Sequence, residues 1–383
     1  MRTIVIDGLS ALRGGGQTYL QNLFLYYKPS KDWRIIAILP HSFCRSLLID
    51  SNIEVITSRF ASKSIIHRAC WYRFYFPGLL KKLKATVLYC VGGTLAPVIP
   101  KDCKSAVAFR NMLPFSPQES QRYGFGYMRV RLFILYFLQL RSFQRAALTI
   151  FISHYAKSVI DKLLPNRCGK SEVIPHGLNE HFLSLMQTPR PHYLPNRYVL
   201  YVSILDVYKA QIEVIQAWNL AKDNIPSDLK LLLVGPEYPP YAQKVRAIIT
   251  ELQLQETVIL CGNIDYQKLP EYYRHAEVNL FASSCENCPN ILLEALGGGR
   301  PILCSNYSPM PEFAGDAVLY FNPYAPKELA DLLVLVLNDE EKKEDFKSRS
   351  HNQALKFSWE DTAEKTWNAL RMLADGSSSA CAE

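Results

Sequence analysis

The chain has 383 residues, 49% of them apolar and 20% charged, a balance that fits a globular enzyme and excludes disordered and fibrous classes. That length exceeds what one hydrophobic core ordinarily supports, so two domains are expected. The 43 basic and 35 acidic side chains leave a formal charge of +8, too mild and dispersed to indicate nucleic acid by itself; anionic small molecules or an anionic membrane surface fit equally.

The first residues, MRTIVIDGLS, enter an apolar run without a basic leader, a long apolar segment or a small-residue cleavage site, so no secretion signal is expected. TIVIDG (3–8) reads as a buried parallel strand, and GGGQTYLQNLFLYY after it as a glycine loop and a helix. The same alternation continues with WRIIAIL (33–39), IEVITS (53–58), ATVLYCVGG (85–93) and KSAVAFRN (104–111), which implies βαβ units and a parallel sheet. Residues 127–148 form a long basic helix candidate, whose uncharged run LFILYFLQL (132–140) is about half of what spans a bilayer. LTIFIS (148–153) is a further strand, and the proline-rich stretch 185–197 reads as the domain linker. A second alternating series follows: YVLYVSIL (198–205), KLLLVGP (230–236), TVILCGN (257–263), EVNLFASS (277–284), RPILCSN (300–306) and AVLYF (317–321). EDTAEKTWNALRML reads as a terminal helix and the small-residue tail after it as disordered. The ten cysteines have no repeated spacing and several lie in apolar runs, so they are expected to be reduced and mostly buried.

Ligands of open α/β sheets bind at the carboxyl ends of the strands. The glycine loop 14–16 lies at one such end, where glycines let backbone approach a phosphate, although a tight turn would also use them. SSCENCPNILLEALGGG (283–299) lies at another: a loop carries Glu286, Pro289 opens a helix, and Glu294 follows about one turn in. The free amides of Asn290 and Ile291 would face an anion, and two carboxylates so spaced suit a polyhydroxylated ligand. The competing reading takes Cys285 and Cys288 as a metal or redox pair, but no second Cys-x-x-Cys or nearby His pair completes it.

FASSCENCPNILLEALGGGRPILCSN resembles the E-x7-E region of the retaining glycosyltransferases of family 4, of GT-B fold. VIPHGLNEHF, YVSILDVYKAQIEVIQAW, VILCGNID and SPMPEFAGDAVLYFNP are similar to further segments of that family, over essentially all of residues 150–325 and more weakly before them. The resemblance implies two doubly wound Rossmann-like domains facing each other across a cleft: an acceptor-side domain at 1–188 and a nucleotide-sugar domain at 195–355, with the helix 356–375 packing back on the first. It implies transfer of a sugar from a nucleotide diphosphate sugar to an acceptor hydroxyl, with retention and an α-linkage, in bacterial cell-surface polysaccharide or glycolipid synthesis. Other readings are a GT-B nucleotide-sugar epimerase and a non-catalytic nucleotide-sugar-binding protein.

Carried onto this sequence, Glu286 would contact the sugar hydroxyls and Glu294 the ribose. Asn290 and Ile291 would bind the sugar or its phosphate, and Lys209 would neutralise the diphosphate. Gly262 and Asn263 would contact the base, and Gly15 or Gly16 the diphosphate. The family pattern departs twice: Ile204 stands where an arginine is usual, and Arg110 at or beside a usual histidine. Arg110 would serve acceptor or donor, or be an ordinary surface arginine. No metal or other cofactor is implied, the partners being the donor and a saccharide or lipid-linked saccharide, with no nucleic acid. Arg129, Arg131, Arg141 and Arg145 border the apolar run of the 127–148 helix, which would rest on the inner membrane face or be a buried helix whose arginines snorkel. The protein is expected in the cytoplasm, soluble or peripheral.

Overall fold

The computed structural model describes residues 2–10, 15–41, 43, 52–96, 98–183 and 189–376. Gly14, the linker residues 185–188 and the tail from 377 lie outside them. The chain divides into two compact units: residues 1–115, 127–177 and 359–383 form the first, and 116–126 with 178–358 the second.

The first unit holds seven strands: β1 (Arg2–Asp7), β2 (Trp33–Leu39), β3 (Glu54–Thr57), β4 (Ala85–Cys90), β5 (Lys104–Phe109), β6 (Leu148–Phe151) and β7 (Lys170–Val173). They form one sheet in the order β3-β2-β1-β4-β5-β6-β7, every pair parallel, with Arg2 to Asp7 in register with Trp33 to Ile38. The order reverses at β1, the doubly wound pattern. The central strands are buried because helices cover both faces, which is why they read as unbroken apolar runs. β7 was not expected: its half-exposed KSEV is a short edge strand without an apolar run. The terminal helix Trp359–Asp375 belongs to this unit, where Trp359, Trp367 and Leu370 share a core with Tyr19, Leu23 and Ile6.

The second unit holds β8 (Tyr198–Val202), β9 (Lys230–Val234), β10 (Val258–Gly262), β11 (Val278–Phe281), β12 (Ile302–Ser305) and β13 (Leu319–Phe321), in the parallel order β10-β9-β8-β11-β12-β13. Its core packs Trp218, Val245 and Leu333 against Val199, Tyr201, Leu231 and Leu233.

The division falls between Gly177 and Leu178, upstream of the proline-rich stretch. Leu178 donates its amide to the Phe357 carbonyl at 3.1 Å, and Phe182 packs on Tyr266 and Tyr273, so these residues are built into the second unit. The described part of the expected linker is tied down as well: Arg190 donates to the carbonyls of Pro195 and His275 at 2.6 and 3.2 Å.

Candidate active site

Four loops of the second unit leave the carboxyl ends of adjacent parallel strands and carry the candidate residues. After β8 the chain makes a short 3₁₀ turn, Val207–Lys209, whose first amide is capped by the Asp206 carboxylate at 2.7 Å. Lys209 is buried at 4% exposure, with its carbonyl accepting the Tyr201 hydroxyl at 2.7 Å. Its ammonium ends between the rings of Tyr208 and Phe281 and donates to Glu286, in the loop after β11. The loops are locked together, since the Ser284 amide donates to the Tyr208 carbonyl at 2.8 Å. The two residues singled out from separate segments, Lys209 and Glu286, are thus one ion pair. Ile204 adds no cation; its carbonyl accepts the Gln211 amide at 2.8 Å.

The helix after Glu286 is Asn290–Gly297, with Pro289 at its cap. One expectation fails here: the Asn290 amide is not free, because the turn at Pro289 directs it to the Cys288 carbonyl at 3.0 Å. Leu292 and Leu293 both donate to Pro289, while Ile291, among the described residues, gives its amide to no backbone carbonyl.

Glu294 is buried, and the hydroxyls of Tyr266 and Tyr273 donate to its two oxygens at 3.1 and 3.3 Å. Burial pushes its carboxyl up to about 7, against the two hydroxyls, which favour the charged form. Gly262, ending β10, has φ +66 and open space where a side chain would stand, with the exposed Asn263 after it. At the end of β9, Gly235 has φ +145 and lies so close to the Ser203 carbonyl that a Cβ would meet it at 2.1 Å. Only glycine lets these two strand ends approach so closely.

Cys285 and Cys288 are buried thiols outside any disulfide, and burial together with Glu286 pushes the Cys285 thiol up, away from the thiolate that metal binding or redox chemistry requires. Among the described residues no group of three His, Cys, Asp or Glu is placed to hold a metal ion.

In the first unit, Gly15 and Gly16 open the helix Gly15–Leu25 at the carboxyl end of β1. Arg110, just after β5, donates to the Gly15 carbonyl at 2.5 Å and lies over the Tyr19 ring at 4.3 Å, so these separately chosen residues also meet. Asp7, ending β1, is a buried carboxyl held by the Tyr72 hydroxyl at 2.6 Å, with burial raising it.

Residues 187–353 match the family described as glycosyl transferases group 1. The chain is 29% identical over 177 residues to O-antigen chain mannosyltransferase B of Escherichia coli, covering 46% of each chain. It is 32% identical over 126 residues to N-acetylgalactosamine-N,N'-diacetylbacillosaminyl-diphospho-undecaprenol 4-alpha-N-acetylgalactosaminyltransferase of Campylobacter jejuni, covering 32% of each chain. The matches therefore span less than half the length of these curated relatives. A crystal structure of HepE from Anabaena in complex with UDP and glucose aligns over 97% of this chain and 100% of its own, with a TM-score of 0.72 at 18% identity. Residues 187–353 are a group 1 glycosyltransferase domain. Across the whole chain the fold is the GT-B fold.

The glycosyltransferase domain also uses residues that the sequence reading left out. Ser116–Gly126, inserted between β5 and β6, belongs to the second unit. There Arg122 donates to Glu119 and Glu213 at 3.2 and 2.8 Å and to the Tyr324 hydroxyl at 3.1 Å. Tyr123 donates to Asp206 at 2.8 Å, the carboxylate that caps the Lys209 turn. No periodicity marks this segment; the only signal was an Arg-Tyr pair far from the other motifs.

Proposed function

We propose that the chain is a retaining glycosyltransferase, transferring a sugar from a nucleotide diphosphate sugar to a hydroxyl of a saccharide or lipid-linked saccharide with an α-linkage, in cell-surface polysaccharide or glycolipid synthesis. The observation that carries this reading is the buried Lys209–Glu286 pair at the strand ends, with Glu294 about one turn into the helix that follows, inside the segment matching group 1 glycosyltransferases. The two relatives, a mannosyltransferase and an N-acetylgalactosaminyltransferase, support it.

In this mechanism Lys209 stabilises the negative charge that develops on the departing diphosphate. Its held position between two aromatic rings means that little reorganisation is needed when the charge appears. Glu286 exchanges part of its contact with Lys209 for hydroxyls of the sugar and orients the anomeric carbon. Glu294 accepts from the ribose hydroxyls, and the Ile291 amide serves the sugar or its phosphate. Gly262 and Asn263 leave room for the base; Gly15, Gly16 and Arg110 serve the diphosphate or the acceptor. The acceptor attacks the face that the leaving group vacates, and these cationic and dipolar groups do the work a metal does elsewhere. No helix among the described residues is long and apolar enough to cross a membrane, so approach to a lipid-linked acceptor would use peripheral contact through 127–148 at the inner membrane face.

The test is calorimetric titration of UDP-, GDP-, ADP- and dTDP-sugars without added metal, on the wild type and on Glu294→Ala. One nucleotide class should bind, and Glu294→Ala should weaken it about tenfold or more, as for a lost charge-assisted hydrogen bond. Equal binding by both proteins would remove Glu294 from the site. Binding without donor hydrolysis or transfer would favour the non-catalytic reading, and epimerised donor would favour the epimerase.

A further inference from the structure

Two stretches of the first unit expose large apolar side chains among cations. The helix Tyr127–Arg145 buries only Leu132, Gln139, Ser142 and Phe143. Val130, Ile134, Phe137 and Leu138 are all half exposed or more. At about 100° per residue these side chains, with Tyr127, Arg131, Arg141 and Arg145, fall within about 60° of Ile134, so arginines bracket an apolar middle. This sets aside the buried-helix alternative. The second stretch is the helical run 59–75, where Ile65, Ile66 and Phe74 are 71%, 75% and 78% exposed. It borders an apolar groove of about 460 Å³ lined by Ile56, Phe60, Trp71, Phe74 and Tyr75, a lining that suits a lipid chain.

Both stretches lie on one face of the sheet. Ile4 and Ile6 of β1 point into the core shared with the helices Gly15–Leu25 and Trp359–Asp375. Asp7, of opposite parity, takes the Tyr72 hydroxyl from the 59–75 run. Ala106 and Ala108 of β5 join that same core, while Phe109 packs on Phe143 of the 127–145 helix at 5.0 Å. Charge points the same way. Residues 58–84 and 127–145 together hold eleven Lys and Arg and no Asp or Glu, more than the +8 of the whole chain.

We propose that this face docks on an anionic lipid bilayer through two elements, the 59–75 run inserting Ile65, Ile66 and Phe74 beside the 127–145 helix. The apolar side chains enter the headgroup boundary while the flanking arginines and lysines meet lipid phosphates. The 127–145 part rests on the peripheral contact proposed above; the second element rests on its own exposure and charge.

The test is flotation of the full chain with phosphatidylcholine vesicles and with vesicles containing phosphatidylglycerol, at about 50 and about 500 mM salt. The wild type should prefer the anionic vesicles about tenfold or more and lose that preference in high salt. The triple variant Ile65→Ser, Ile66→Ser, Phe74→Ser should partition about tenfold less, with unchanged donor titration. The pair Arg59→Glu, Lys63→Glu, which leaves the apolar side chains in place, should weaken only the anionic arm. Wild-type partition by these variants overturns the second element, as does a dimer by light scattering that the triple variant dissociates. Vesicle binding without binding of any nucleotide sugar would sink the donor reading and leave the docking face standing.

Discussion

Lys209 and Glu286 are held in the interior at 5% and 15% side-chain exposure. A buried pair of this kind adds little net stability over an apolar pair, but removing one member leaves the other charge unpaired. Lys209→Ala should therefore destabilise the second unit by about 3 kcal/mol, whereas Lys209→Met with Glu286→Leu should recover most of that and still abolish transfer. Urea unfolding of the three proteins beside their transfer rates checks this; a double variant that regains stability and keeps transfer would mean that the pair serves stability and not function. Glu294 gives a pH signature. Its carboxyl keeps the proton up to about 7 in the native chain, against an ordinary 4.5. Over that interval the native state binds more protons than the unfolded one, so stability is fully present below about 4.5 and declines as pH rises through about 7. The upper bound of the loss is about 3 kcal/mol. Glu294→Gln, which keeps an acceptor for the two tyrosines, should be free of it, so its melting temperature should gain on the wild type between pH 5 and 8. Parallel melting curves across that range would mean that Glu294 is ionised in the native chain throughout.

Among elements, the segment Ser116–Gly126 changes how the Lys209 turn is understood. The turn has only three residues and is fixed from below by Tyr201 and from the side by Asp206. Asp206 is itself partly buried, with burial raising its carboxyl and the Tyr123 hydroxyl, the Val207 amide and Lys209 lowering it. Tyr123 thus acts on the Lys209 turn through Asp206, as a positioning residue in the proposed mechanism. Tyr123→Phe should cost about 1 kcal/mol of stability and lower kcat more than it raises the donor KM, while Asp206→Asn with Tyr123 intact should shift the same parameters in the same direction. An unchanged kcat in Tyr123→Phe would reduce the contact to packing. Most strands were legible because buried parallel strands are continuous apolar runs: WRIIAIL coincides with β2 residue for residue. The motif glutamates were legible from spacing. KSEV and the Tyr123 contact were not, since an edge strand lacks the apolar run and a contact across 83 positions leaves no local pattern. The Asn290 amide was misread for a different reason: a cap position specifies where the helix starts, not what the first residue after it does with an amide that has no helical partner.

For the whole molecule, the last helix of the sequence completes the core of the first unit. Trp367 donates its indole N–H to the Leu23 carbonyl at 3.0 Å and packs on the Tyr27 ring at 4.7 Å, at 2% exposure. The glycosyltransferase match ends at 353, before this helix begins, so the segment it lies in serves the other unit's fold. Trp367→Ala opens a large cavity and strands the Leu23 carbonyl, a loss of about 3–5 kcal/mol. Of the five tryptophans only Trp218 belongs to the second unit, buried in its core. Calorimetry together with the emission of a chain in which the other tryptophans are phenylalanine would therefore report the second unit by itself. A nucleotide sugar at about a hundred times its Kd should stabilise the transition followed by Trp218 by about 2.7 kcal/mol, and the heat absorbed by the first unit should come at lower temperature in Trp367→Ala while the Trp218 transition stays. If the donor instead left the Trp218 transition unmoved, the binding groups would have to be sought outside the group 1 glycosyltransferase domain, beginning with Gly15, Gly16 and Arg110.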